Sequence, residues 1–243
     1  MLLVRINTFK NIFLMNKMSV ILIPYRDRQS QLDYFIDNTV PILKKYPEIS
    51  KVVVIEQGNQ KLFNRGKLIN IGVLEYPQAE YYITQDVDIN PKDPVVSKQY
   101  CDPINSTDTI RGIYNSVCDT LGGIIKISKD NMFKINGFPN NFWGWGGEDD
   151  DIMNRINILG IPIDRTKIYY RWDYPSEVYD NLTPNDIKNK LIKEQGKKRL
   201  DLKYKKLYKK DPQYIYKNGL NNCKYTIVDY ISNENMDTII VEI

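Results

Sequence analysis

Three short apolar runs, rich in β-branched residues and spaced by helix-length segments, constrain this fold more than any other feature. Ser19-Val-Ile-Leu-Ile23 is closed by Pro24, Lys51-Val-Val-Val-Ile55 follows, and Tyr81-Tyr-Ile-Thr84 leads into Asp86-Val87-Asp88. Continuous apolar runs of this length are what strands buried on both faces require. Between the first two lies a predicted helix over Gln29 to Lys45. Leu32, Phe35, Ile36, Val40 and Leu43 stand near helical spacing in it, with a kink or early end expected at Pro41. A second predicted helix, around Lys67 to Leu74, separates the second run from the third. Strands alternating with helices predict an α/β fold with a mixed, mostly parallel central sheet flanked by helices. Such sheets bind ligands in the crevice at the carboxyl ends of their strands. Two polar clusters fall there: Tyr25-Arg26-Asp27-Arg28 after the first strand and Asp86-Val87-Asp88 after the third.

Downstream, residues 97–120 read as a long irregular excursion. Gly122 to Ile127 predicts a strand, Lys129 to Ile135 a short helix, and Ile152 to Leu159 another. A basic helical stretch is expected from Thr183 to Lys209, broken at Gly196, and two strands at Lys224 to Tyr230 and Thr238 to Ile243. No internal repeat or composition shift forces a boundary, so residues 1–18 are expected to be a tail and residues 19–243 a single domain. The N-terminus carries Arg5, Lys10 and Lys17 among its apolar residues. It therefore lacks both a run of the ~20 apolar residues a membrane span needs and the unbroken apolar region of a signal peptide.

Composition matters here for what it excludes. The 243 residues include no His. That rules out a Ser-His-Asp triad, a Cys-His dyad, a His metal ligand and a His general base. Acid–base chemistry near neutral pH falls to Asp, Glu, Lys, Tyr or Cys. The 34 Lys and Arg exceed the 30 Asp and Glu by only four, far from a nucleic-acid signature unless the charge clusters. Cys101, Cys118 and Cys223 have neither the number nor the spacing of a disulfide framework or a zinc site. They read as free thiols in a reducing compartment.

Two constellations carry chemistry. In an extended segment Asp86 and Asp88 point to the same side. Both can face one divalent cation, or one can face the metal and the other a sugar or ribose. Hard oxygen ligands suit Mn²⁺ or Mg²⁺ bridging a diphosphate. Without its strand context the pattern would be an ordinary exposed turn. The second constellation is Trp143-Gly-Trp145-Gly-Gly147-Glu148-Asp149-Asp150-Asp151. Acids at a helix start complement its dipole and cap free N–H groups, but four exceed that need and repel one another. The crowding is expected to raise at least one carboxylate pKa, a route to a general base. The tryptophans offer faces for stacking on a sugar, and the glycines a hinge.

The string Gly137-Phe-Pro-Asn-Asn-Phe-Trp-Gly-Trp-Gly-Gly-Glu-Asp-Asp-Asp-Ile-Met-Asn-Arg-Ile156 resembles the most diagnostic segment of the β-1,4-galactosyltransferase family, inverting glycosyltransferases of family GT7. Other segments agree in family order. Ile23 to Arg28 resembles the nucleotide-binding loop, Phe63 to Leu68 a second donor segment, and Asp86 to Asp88 the metal motif. Gly122-Gly123 with Ser128-Lys129 resembles the strand before the acceptor loop, and Gly219 to Asn221 with Tyr225 the opening of the final strands. The resemblance spans Ser19 to the C-terminus. It implies a GT-A fold and inverting transfer of a hexose or N-acetylhexosamine from a UDP-sugar to a hydroxyl of a carbohydrate or glycoconjugate acceptor. It puts the general base at Asp149, acceptor hydroxyls at Glu148 and Asp150, and the lid at Trp145 beside Gly147. Pro24, Tyr25, Arg26, Arg28, Phe63, Arg65, Asp86, Val87 and Gly123 would hold the donor, and Asp88 the metal.

The chain departs from the family in three places. The family completes its metal site with a downstream His; laying its spacing here puts Asp173 at that position. Asp88 and Asp173 are therefore the expected ligands of Mn²⁺ or Mg²⁺, unless Asp173 merely pairs with Arg171. The large aromatic of UDP-galactose users, two residues before Gly122, is Thr120 here, which leaves room for the N-acetyl group of UDP-GalNAc or UDP-GlcNAc. Animal members are Golgi-anchored and disulfide-stapled. This chain shows neither feature, and its Ile, Lys, Asn and Tyr richness resembles coding from an AT-rich genome, so a cytoplasmic enzyme of a microbe or large virus is expected. The Lys-rich stretch from Lys188 to Lys210 reads first as a solvated face, and second as a contact for an anionic membrane or polyanionic acceptor. The rival to the enzyme is a carbohydrate- or UDP-sugar-binding module that has lost metal activation.

Overall fold

The computed structural model describes residues 18–104, 109–115, 121–144, 146–171, 173, 177, 202–234 and 236–243. The three apolar runs form β1 (Ser19–Tyr25), β2 (Ile49–Gln57) and β3 (Tyr81–Thr84), all parallel. Every residue of β1 is buried. Its alternate residues feed two cores, as strand geometry demands. Val20 and Leu22 pack with Val53, Ile55 and Leu68 on one face. Ile21 and Ile23 pack with Val52, Val54 and Phe35 on the other.

Between β1 and β2 the predicted helix divides into α1 (Gln29–Asn38) and α2 (Val40–Leu43), with the break at Thr39, two residues before Pro41. α3 (Arg65–Glu75) joins β2 to β3 and is flanked by the buried cap Asn64, whose side chain accepts from the Lys67 amide at 3.0 Å.

A short helix, α4 (Pro94–Lys98), runs into the stretch expected to be irregular, and that stretch holds a buried strand, β4 (Ile110–Asn115). This strand was illegible because Arg111 and Gly112 interrupt its apolar pattern. Arg111 is buried against Asp164, donating from Nε and Nη2 at 3.1 and 3.0 Å. The strand β5 (Ile124–Ser128) runs antiparallel to both β3 and β4, and α5 (Lys129–Lys134) follows it directly. α6 (Glu148–Ile158) begins four residues earlier than the apolar pattern indicates, so the whole acidic run lies in its first turn.

Two-residue strands β6 (Ile163–Asp164) and β7 (Tyr169–Tyr170) both pair with β4. A helix over 202–210, α7, precedes the hairpin of β8 (Thr226–Ser232) and β9 (Asp237–Glu242). The sheet order is β6-β4-β5-β3-β1-β2-β9-β8, with β7 beside β4. The carboxyl ends of β1, β2, β3 and β4 therefore open on one side, and the polar clusters gather there.

Candidate active site

The loop after β1 supplies arginines to this opening. Pro24 and Tyr25 still belong to the strand, and Tyr25 is buried, donating from its hydroxyl to Gln29 at 3.3 Å. The Arg26 guanidinium lies 5.8 Å from the Phe63 ring centre and donates to the Lys61 carbonyl. Arg28 stands 3.7 Å from the Asp88 carboxylate.

The Asp86–Asp88 segment is not extended. The Ile89 amide donates to the Asp86 carbonyl at 3.1 Å, closing a turn. The two carboxylates accordingly go to different arginines: Asp86 accepts from Arg65 Nε at 2.6 Å, while Asp88 faces Arg28. Val87 is buried in the second core, so its side chain is turned away from the opening.

Arg65, the first residue of α3, links both constellations. Its Nε holds Asp86 and its Nη1 lies 3.8 Å from Glu148 at the start of α6. The residue is 8% exposed, and neither terminal nitrogen has a hydrogen-bond partner among the described residues. Burying a guanidinium this way is costly without a ligand that accepts from it.

On the other side, Gly147 precedes α6 with φ of +91°, in the left-handed region that favours glycine. Glu148 is 7% exposed. Burial and the neighbouring Asp149 push its carboxyl up to about 7, against the opposing pull of Arg65. The expected raised carboxylate is thus Glu148. Asp149 and Asp150 are half-buried at the mouth of the site, with the Asp149 carboxylate accepting from the Asp150 amide at 3.0 Å.

The fourth acid has a structural role. Asp151 accepts from Arg155 Nε at 2.8 Å and from the Tyr208 hydroxyl at 3.0 Å, wholly buried. Arg155 Nη1 donates to the carbonyls of Ile135, Asn136 and Gly137, and Nη2 to that of Asn218. The loop into α6 is pinned by asparagines as well. Asn70 both donates to and accepts from Phe138 at 2.7 and 2.8 Å, and Asn64 donates to the Asn140 carbonyl at 2.8 Å. Asn64, Asn70, Arg155 and Tyr208 escaped the sequence reading. The signal available for them was an unusual density of Asn and the placement of Arg155 one helical turn after Asp151.

Trp143 is half-buried against the first core, with Lys61 and Lys67 at 5.9 and 6.0 Å from its ring. Gly123 opens β5 with φ of +93°, and a Cβ there would stand 2.4 Å from the Tyr114 carbonyl oxygen. Thr120, Trp145 and the expected helix over 183–201 lie outside the described residues. Asp173 follows β7 by three residues, its amide donating to Tyr170 at 3.0 Å. It forms no ion pair with Arg171 among the described residues. Tyr114, at the end of β4, feels the charges of both Arg171 and Asp88, so this edge and the β3 turn share one side of the sheet. Among the described residues no group of three or more Asp, Glu or Cys is assembled for a metal. Asp88 and Asp173 offer hard oxygens that suit Mn²⁺ or Mg²⁺, and a cation there needs its remaining ligands from substrate and water.

This sheet, with its arginines at the β1 and β2 ends and its acidic helix start opposite, is that of a GT-A type glycosyltransferase. The chain belongs to glycosyltransferase family 7. Residues 12–101 match the family described as the N-terminal region of glycosyl transferase group 7, and residues 111–178 match that described as the N-terminal domain of galactosyltransferase. The chain is 30% identical to rat (Rattus norvegicus) β-1,4-galactosyltransferase 4 over 237 residues, covering 88% of this chain and 60% of that protein. It is 36% identical to bovine (Bos taurus) β-1,4-galactosyltransferase 1 over 151 residues, covering 60% and 38%. It thus spans less than two thirds of these relatives' length. In fold it is similar to a Drosophila β-1,4-galactosyltransferase 7 variant solved with manganese, UDP-Gal and xylobiose. The TM-score is 0.64 at 20% identity, covering 93% of this chain and 92% of that one. No described helix is long and apolar enough to cross a membrane.

Proposed function

We propose that this protein transfers a hexose or N-acetylhexosamine from a UDP-sugar to a hydroxyl of a carbohydrate acceptor, inverting the anomeric carbon. The observation that carries this reading is Arg65. It joins the carboxylate turn after β3 to the acidic start of α6, and it keeps two buried terminal nitrogens without hydrogen-bond partners among the described residues. A donor diphosphate supplies the missing acceptors.

In this reading Arg26, Arg28 and Arg65 hold the diphosphate, with Tyr25 and Phe63 beside the uridine. Asp149 takes the proton of the acceptor hydroxyl. The acceptor oxygen then bonds to the anomeric carbon as the bond to UDP breaks and its electrons pass to the diphosphate. Glu148, near half-protonated at neutral pH, can donate a hydrogen bond to a sugar oxygen, and Asp150 accepts one from an acceptor hydroxyl. Asp88 and Asp173 would hold a Mn²⁺ or Mg²⁺ ion, which when bound would supply positive charge to stabilise the leaving UDP; the manganese of the Drosophila neighbour supports this choice. Trp145 serves as the lid. The small Thr120 predicts use of UDP-GalNAc or UDP-GlcNAc, so activity with UDP-Gal alone would refute that assignment. The free thiols of Cys101 and Cys223, raised by burial, fit a reducing cytoplasm.

The test is UDP release over a panel of UDP-Gal, UDP-GalNAc and UDP-GlcNAc with simple sugar acceptors, with and without Mn²⁺. Asp149→Asn is expected to lower kcat about 10²–10⁴-fold with UDP-sugar binding retained. Donor binding without turnover in the unmodified protein would make it a binding module instead.

A further inference from the structure

α7 carries an arrangement that the transfer reaction does not use. Tyr204 and Tyr208 form its inner face: their rings stack at 6.0 Å, Tyr204 meets Phe142 at 6.0 Å, and both meet Tyr214 at 6.4 Å. The outer face holds Lys203, Lys205, Lys206, Lys209 and Lys210, all exposed. None of the five makes an ion pair with another described residue. On the same face, at the start of the helix and in line at helical spacing with Lys206 and Lys209, stands Leu202, 53% exposed. Leu202, Lys203, Lys206 and Leu207 line a shallow groove. The charge is concentrated here. Residues 188–210 hold eleven Lys or Arg against two Asp or Glu, so this stretch carries +9 in a chain whose net charge is +4.

We propose that the outer face of α7 docks this protein on an anionic lipid surface. Charge alone would suit any polyanion. An exposed leucine in line with a lysine face suits an interface where the cations meet headgroups and the apolar side chain passes below them. Long lysine stems allow this, since their ammonium groups stay at headgroup level. The helix is also coupled to the active site. Tyr208 holds Asp151, and Tyr204 packs on Phe142, in the loop that leads into α6. A membrane under α7 therefore lies beside the loop leading to Asp149 and Asp150, and favours membrane-borne acceptors. The docking itself stands without the catalytic reading.

The test is flotation of the full chain with vesicles of pure phosphatidylcholine and with vesicles rich in phosphatidylserine. Binding is expected only to the latter, weakening as salt rises. Replacing Lys203, Lys205, Lys206 and Lys209 by Gln, a good helix former, is expected to lower the partition coefficient about 1,000-fold. The thermal midpoint should stay the same, because these side chains are exposed and form no ion pair among the described residues. Leu202→Gln is expected to weaken binding severalfold. Replacing Lys44 and Lys45 by Gln, beside α2 on the other face of the sheet, should leave binding intact, as should Asp149→Asn. Absence of binding to phosphatidylserine vesicles, or binding that survives the four-lysine change, would overturn the proposal. So would tight capture of soluble dextran sulfate combined with vesicle binding indifferent to Leu202→Gln, which would assign the face to a polyanionic acceptor.

Discussion

Glu148 shows how one position can couple stability, pH and function. Its folded carboxyl titrates at about 7 against an ordinary 4.5, because burial and Asp149 disfavour its charge more than Arg65 favours it. The folded state thus binds this proton more tightly than the unfolded chain. The stability it contributes is fully present below about pH 4.5 and is lost as pH rises through 7. The loss amounts to at most about 3 kcal/mol. Denaturant unfolding at a series of pH values should show this decline, and Glu148→Gln should flatten it and leave the variant more stable than the parent at pH 8. An unchanged pH slope in the variant would show that Glu148 ionises normally. The acidic run announced that some carboxylate would be perturbed. Which of the four it would be depended on burial, which only the packing of α6 against the rest of the fold sets.

At the scale of elements, α6 is a helix whose two ends of the acidic run have different duties. Asp149 and Asp150 face the opening, while Asp151 is sealed against Arg155 and Tyr208. Arg155 in turn gathers three carbonyls at the end of α5 and a fourth from Asn218, fixing the loop that places the site. Removing one partner of a buried pair leaves an uncompensated charge. Arg155→Met is therefore expected to destabilise the protein by about 3–5 kcal/mol, read by chemical denaturation. Gly123→Ala forces a Cβ against the Tyr114 carbonyl in the left-handed region, and should lower the thermal midpoint clearly. The apolar strands β1, β2 and β3 were legible because both their faces are buried. β4 was not, since its Arg111 finds Asp164 only once β6 is in place, and two-residue strands have no periodicity to read.

Across the whole molecule, the sheet order brings the loops after β1, β2 and β3 to one side and the β7 edge to the same side. The proposed metal pair, Asp88 and Asp173, belongs to this scale because its members follow β3 and β7, strands on either side of β5 and far apart in sequence. Chelation by EDTA is expected to abolish transfer and Mn²⁺ to restore it. Asp88→Ala should prevent the restoration, and Asp173→Ala should raise the Mn²⁺ needed for half-maximal activity about tenfold or more. Unchanged Mn²⁺ dependence in Asp173→Ala would remove that residue from the metal site.

By itself the sequence determined the alternation of buried strands and helices, the family, the lack of any His chemistry and the clustering of basic charge near α7. These are local or compositional properties, written in period, motif and count. The tertiary structure decided what depends on distance: that Asp86 and Asp88 part to different arginines, that Arg65 bridges two constellations, and that Asp151 is structural while Glu148 is the perturbed acid. A carboxylate's behaviour is set by what lies within a few ångströms and by how much water it has lost, and neither can be read along the chain.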